Sequence, residues 1–207
     1  NSAEPWKIPD LDSLERTQVK LAGPEQAGSF QPYRRDPVTL ARPWAIPGTP
    51  GLEHRIGGLT KQDVTGNVVY GPDNHARMIA LRAAKVAAIA NDLPPVEVEG
   101  PESGDLLVIG WGGTRGAITA AVEEVREAGL DVSQAHLRHL NPFPKNLGEV
   151  LSRFKRVLCP ELNEGQLAMI LRARFLSPVE TFSKISGQPF KVAEIRERIE
   201  SIMREEN

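Results

Sequence analysis

The order of apolar and polar positions divides the chain into an irregular N-terminal arm and a region that alternates strands with helices. From residue 105 onward, short apolar runs are separated by helical stripes, and each run has the length of a strand covered on both faces. The predicted order is strand 106–109, helix 117–128, strand 132–140, helix 146–154, strand 157–159, helix 165–175, strand 179–185 and helix 192–203. This order predicts an α/β fold with a mostly parallel sheet, right-handed crossovers and helices on both faces.

Three local signals support these boundaries. Gly129 follows the first helix at the position of a left-handed C-cap. Asn146 with Glu149 three residues later resembles a capping box. The last helix carries isoleucines on one face, at positions 195, 199 and 202.

Residues 1–66 are predicted to be an extended, irregular arm, because eight prolines fall in the first sixty positions. The arm also has apolar content, which indicates that it lies on another surface. That surface belongs either to this chain or to a partner, and the sequence leaves both open. The apolar side chains in question are Trp6, Phe30, Tyr33, Trp44, Leu52 and Ile56.

Residues 67–95 are assigned to a helix and a linker, and residues 96–207 to the α/β domain. The helix is predicted over 73–91, with a start at Pro72 and Asp73 and a proline-rich end. Its predicted apolar side consists of Met78, Ile79, Leu81, Val86 and Ile89.

Composition restricts the classes of function. Hydrophobic residues make up 40% and charged residues 25%, and the net charge is −2, as in an ordinary folded protein without a nucleic-acid partner. No apolar run is long enough to span a membrane. The N-terminal "NSAEPWKIPD" has no signal-peptide pattern and no initiator Met. We therefore expect a cytoplasmic protein, present here as a fragment or a processed piece.

The glycine-rich stretch after the first strand is the first candidate site. A dinucleotide fingerprint requires G-x-G-x-x-G, but Arg115 stands where its third glycine belongs. A tight turn is therefore favoured, with Gly113 and Gly116 allowing close packing of helix on sheet. An anion or a partner side chain at Gly112, Gly113 and Thr114 remains an alternative.

Two further candidates are the stretches "CPELNEGQL" and "GLEHRIGG". Glu161 and Asn163 lie where the third strand meets a helix, so they either cap that helix or contact a ligand or subunit. His54 and Arg55 form either an interface element or a solvated loop. Cys159, the single cysteine, is expected in the core. The sequence predicts no catalytic, cofactor-binding or metal-ligating residue.

Four stretches in this order resemble the alpha subunit of 2-oxoacid:ferredoxin oxidoreductases, and most closely its 2-oxoglutarate enzymes: "GLEHRIGGL", "DNHARMIALRAAKV", "PELNEGQL" and "KISGQPFKVAEI". The resemblance covers essentially the whole chain. It implies that residues 96–207 form a transketolase C-terminal-like domain with an assembly role. It also implies that a pyrimidine-binding domain, with the glutamate that activates thiamine, precedes the arm and is not in this chain.

The resemblance further implies a hetero-oligomeric enzyme that oxidatively decarboxylates a 2-oxoacid to acyl-CoA and passes electrons to ferredoxin. Thiamine diphosphate, Mg²⁺ and an iron–sulfur cluster would then belong to the beta subunit, and this part alone would bind none of them. Two alternatives stay open. One is a stand-alone nucleotide- or anion-binding α/β module, and the other is the equivalent domain of another transketolase-like dehydrogenase.

Overall fold

The computed structural model describes residues 8–14 and 18–205, so the predicted arm residue Trp6 lies outside the described part. One compact unit comprises Ile8–Asp92, and a second begins at Leu93. The predicted divisions at residues 66 and 95 stay a prediction. In the described residues no helix is long and apolar enough to cross a membrane.

The unit Ile8–Asp92 is mostly irregular, as the proline pattern predicts. Its strands β1 (Leu21–Ala22) and β2 (Trp44–Ala45) pair in parallel. Its one long helix, α1, spans Pro72–Ala88 and continues into a short 3-10 turn, Ile89–Asn91.

The apolar side chains of this unit are buried only in part, which leaves both predicted alternatives for the surface under the arm open. Leu52 is buried, whereas Trp44 and Ile56 are exposed. On α1 only Met78 is buried, and three of the predicted apolar positions are exposed: Ile79, Val86 and Ile89. Helical spacing therefore identified the apolar stripe, but most of its side chains are exposed.

The second unit contains a five-stranded sheet in the order β3-β5-β4-β6-β7. The four long strands are parallel, and β3 pairs antiparallel with β5 at one edge. The elements are β3 (Val98–Glu99), β4 (Gly104–Trp111), α2 (Arg115–Glu127), β5 (Val132–Leu137), α3 (Leu147–Ser152), β6 (Phe154–Glu161), α4 (Gln166–Phe175), β7 (Val179–Ser183) and α5 (Val192–Arg204).

Helices cover both faces of this sheet, which confirms the predicted fold class. Alternating residues of β4 face two separate cores. Leu106 and Val108 join α2 and α5, while Leu107 and Ile109 join α3 and α4. The three isoleucines of α5, at 195, 199 and 202, are fully buried, as their spacing predicts.

Two local expectations are wrong. Asn146 does not cap α3, because its side chain bonds both backbone groups of Val96, accepting from N–H at 2.8 Å and donating to C=O at 2.9 Å. The third strand, predicted as 157–159, has eight residues, and Phe154 begins it instead of ending the helix.

Candidate functional site

The carboxyl ends of β4 and β6 lie side by side in the sheet and bring Trp111 and Glu161 together. Glu161 is completely buried, with 0% of its surface exposed. Its Oε1 accepts from the indole Nε1 of Trp111 at 3.3 Å and from the backbone N–H of Leu167 at 2.9 Å. Its Oε2 accepts from the backbone N–H of Ala168 at 3.0 Å. The carboxylate therefore anchors the first turn of α4 to the end of the sheet.

Asn163 completes this arrangement. Its amide donates to Glu161 Oε1 at 3.1 Å, and its Oδ1 accepts from the backbone N–H groups of Gly165 and Gln166 at 2.8 and 3.0 Å. The carboxylate of Glu161 thus has four donors, close to its full capacity. Such a group is a compensated structural charge, and because none of its surface is exposed it is not placed to accept a proton from a substrate.

The glycine-rich stretch forms a turn closed by its own side chain. Thr114, which is buried, donates its hydroxyl to the C=O of Trp111 at 2.8 Å and accepts from the N–H of the same residue at 3.2 Å. Gly112 has a φ of 57°, which a side chain would oppose. The turn therefore uses the Thr114 hydroxyl for its own closure.

Gly110 permits close packing of α2 on the sheet, so the assignment to Gly116 is wrong, while the assignment to Gly113 stays a prediction. A Cβ added at Gly110 would lie 2.3 Å from Ile118 Cδ1 and 2.8 Å from Thr114 Oγ1. At Gly116 the same addition would meet nothing within 4 Å. Gly110, near the end of β4, is therefore the position at which a side chain would prevent this close packing.

Burial dominates the titration of two other groups near this edge. Cys159 is fully buried in β6, and burial raises the pKa of its thiol, with the Glu161 carboxylate adding to the effect. The pKa of His136 is lowered by burial and then by the nearby positive charge of Arg115. The thiol therefore stays protonated and is a poor nucleophile at neutral pH, whereas the lowered pKa of His136 favours its neutral ring.

His54 and Arg55 lie in the other unit and line an open cleft of about 370 Å³ together with Arg42 and Trp44. Nδ1 of His54 donates to the C=O of Leu52 at 2.9 Å, since a carbonyl only accepts. This bond occupies Nδ1 and orients the ring. The ring also stacks edge-on against Phe30, with centroids 5.5 Å apart.

The structure thus brings Glu161, Asn163, Gly112 and Thr114 to one edge of the sheet and places His54 and Arg55 in a separate cleft.

Sequence reasoning missed Trp111, whose indole donates to Glu161. A tryptophan directly after an apolar strand was the available signal. It also missed Lys61, which is buried and donates to the C=O of Gly57 at 2.9 Å, thereby fixing the loop that follows His54.

The residues present do not fit a metal or an iron–sulfur site. Within the described residues, no three His, Cys, Asp or Glu side chains are grouped so that they could hold a metal ion. A cluster needs several thiolates, whereas this chain has one cysteine, which is buried and protonated. No step of a reaction is therefore assigned to such a group on this chain.

Residues 104–195 match the family model described as pyruvate:ferredoxin oxidoreductase core domain II. The chain is 49% identical over 196 residues to the 2-oxoglutarate oxidoreductase subunit KorA of Mycobacterium tuberculosis, covering 94% of this chain and 29% of the relative. It is 28% identical to the alpha subunit of 2-oxoacid:ferredoxin oxidoreductase 1 of Aeropyrum pernix, covering 95% of this chain and 32% of the relative.

A solved structure agrees with these matches. It is the 2-oxoglutarate:ferredoxin oxidoreductase from Magnetococcus marinus with 2-oxoglutarate, coenzyme A and succinyl-CoA bound. The similarity has a TM-score of 0.85 and 28% sequence identity, and it covers 94% of this chain and 34% of that chain. The chain spans about a third of the length of each of these three relatives.

Proposed function

Because the chain belongs to the family of 2-oxoacid:ferredoxin oxidoreductase alpha subunits, we propose that it is an assembly portion of an enzyme that oxidises 2-oxoglutarate. The observation that carries this proposal is the 49% identity to the Mycobacterium tuberculosis 2-oxoglutarate subunit over nearly the whole chain. The solved relative with 2-oxoglutarate and succinyl-CoA bound supports the same substrate.

In the complete enzyme, thiamine diphosphate with Mg²⁺ would supply the decarboxylation chemistry, and an iron–sulfur cluster would carry electrons to ferredoxin. We assign these groups to a beta subunit, with coenzyme A as acyl acceptor and the cytoplasm as the compartment. The portion described here contributes no catalytic residue. Its internally satisfied sheet edge, with Glu161 held by four donors, supports an architectural role.

The test begins with the native protein. An antibody raised against the 207-residue chain captures it from the source cells, and the captured material is weighed and assayed for reduction of a viologen dye with 2-oxoglutarate and coenzyme A. We expect an alpha subunit heavier than 22.7 kDa, an iron–sulfur partner and dye reduction that requires both substrates. A lone protein of that mass without activity would sink the proposal.

Two controls separate the substrate from the assembly role. Pyruvate in place of 2-oxoglutarate is expected to give much slower dye reduction, and the isolated 207-residue chain is expected to give none. In the complex, Glu161→Gln is expected to lower the amount of assembled enzyme while the KM for 2-oxoglutarate is unchanged. Glu164→Gln, at an exposed neighbouring carboxylate, should change neither quantity.

A further inference from the structure

A second, larger cleft in the unit Ile8–Asp92 concentrates positive charge. It has a volume of about 870 Å³, within the range of about 300–1,000 Å³ that small-molecule sites occupy. Four cationic side chains line it: Lys20, Arg34, Arg35 and Arg42. The carboxylate of Asp36 also lines it, so the cations exceed the acids by three.

That one carboxylate is already engaged. Asp36 Oδ1 accepts from the N–H groups of Val38 and Thr39, at 3.0 and 2.9 Å, and from the Thr39 hydroxyl at 3.1 Å. Outside the cleft, Asp63 attracts Arg35, but its Oδ2 is paired with Arg77 at 2.7 Å. Within the described residues, no arginine of the cleft forms a salt bridge, and the Asp36 carboxylate offsets only one of the four positive charges.

Two lining residues carry buried polar atoms without a hydrogen-bond partner. These atoms are Nε of Arg35, a donor, and Oε1 of Gln31, an acceptor. Such atoms are rare in folded proteins and need a partner. Arg35 is held in place by Nη1, which donates to the C=O of Leu40 at 3.3 Å. A ligand that satisfies both atoms must offer an acceptor to Arg35 and a donor to Gln31.

Aromatic side chains stand beside these groups. Phe30 is half-buried, and Trp44 is 66% exposed although it lines the cleft. The Arg42 guanidinium lies 4.1 Å from the ring centroid of Tyr33, which limits its freedom before any ligand arrives. Planar guanidinium groups match the oxygen geometry of phosphates, and exposed aromatic faces stack on flat rings.

From these observations we propose that this cleft binds a nucleotide. Its phosphates lie against Arg34, Arg35 and Arg42, and its base packs on Phe30 and Trp44. This site is separate from the sheet edge of Trp111 and Glu161, and it does not depend on which 2-oxoacid the complete enzyme uses.

The test is titration of the 207-residue chain with ADP, followed by calorimetry and by the NMR signal of the Arg35 Nε–H group. We expect saturable binding and a shift of that signal. Arg34→Gln and Arg42→Gln should each weaken binding by about tenfold or more, since each removes charge-assisted bonds. Arg138→Gln, the same change at an exposed arginine outside the cleft, should leave binding unchanged.

Inorganic diphosphate and Trp44→Ala test the base. Diphosphate should bind more weakly than ADP, and Trp44→Ala should weaken ADP but not diphosphate. Equal binding of the two probes would overturn the nucleotide assignment. Absence of binding by both at millimolar concentration would overturn the site altogether, and the cleft would then be a surface for a polypeptide. Arg34 is exposed, so its variant carries the test even if changes at the half-buried Arg35 prevent folding.

Discussion

The indole Nε1 of Trp111 donates to the carboxylate of Glu161 at 3.3 Å, and this bond joins the carboxyl ends of two neighbouring parallel strands. The carboxyl edge of a parallel sheet is where ligands commonly bind. Here the same edge is closed by internal hydrogen bonds to the first turn of α4. At this edge, where other proteins with parallel sheets commonly bind a ligand, the carboxylate of Glu161 instead stabilises the structure of the chain.

Glu161→Gln should lower the free energy of unfolding by about 2–3 kcal/mol, in the range of a hydrogen bond to a buried charged group. The variant keeps the size of the side chain, but its amide N–H₂ cannot accept from Leu167 or Ala168. Urea denaturation measures the change, and Glu164→Gln, at an exposed carboxylate, should stay within about 0.5 kcal/mol of the parent. Equal effects of the two changes would contradict an anchoring role for Glu161.

Two glycines of one turn should respond in opposite directions to alanine. Gly110→Ala places a methyl group 2.3 Å from Ile118 Cδ1 and should cost about 1–3 kcal/mol by overpacking. Gly116→Ala, in the first turn of α2 with open space around it, should stabilise the chain by about 0.4–1 kcal/mol. Thermal melting of both variants checks the difference. If Gly116→Ala were the damaging change, the packing assignment would be wrong.

Some features of this fold follow from the local sequence, whereas others depend on residues far apart in the chain. The isoleucines at 195, 199 and 202 follow from helical spacing alone, and all three are buried. Asn146 could not be assigned in this way, because its partner Val96 lies fifty residues earlier in the chain. The local capping-box signal competed with two long-range hydrogen bonds, and the long-range bonds prevailed.

The same distinction applies to the candidate sites. Capping by Asn163 could be predicted, because its partners Gly165 and Gln166 follow it by only two and three residues in the sequence. The basic cleft could not, because Lys20 and Arg42 meet only through the pairing of β1 with β2. Short strands in a proline-rich arm leave no periodic pattern in the sequence.

His136 should make the stability of the chain depend on pH below neutrality. Burial, followed by the charge of Arg115, lowers the pKa of this imidazole in the folded state. The unfolded state therefore binds the proton more readily than the folded state. The contribution of His136 to stability is full above the ordinary pKa of 6.5 and is lost as the pH falls below that value.

The measurement compares unfolding free energies at pH 7.5 and 5.5 for the parent and for His136→Gln. The parent should lose more stability over this interval than the variant, since glutamine does not titrate. His139→Gln, at an exposed histidine three residues away, should keep the slope of the parent. Identical slopes for all three proteins would show that His136 titrates alike in both states.

Cys159 should be inert in the folded chain and reactive in the unfolded one. Its side chain has no exposed surface, and burial raises the pKa of the thiol, so the reactive thiolate is scarce. A disulfide reagent such as Ellman's should therefore label the chain in urea within minutes and label it under native conditions only as fast as the chain opens. Rapid labelling without urea would contradict the burial of β6. Gly110→Ala, which weakens the core beside this strand, should speed native labelling, whereas Gly116→Ala should slow it.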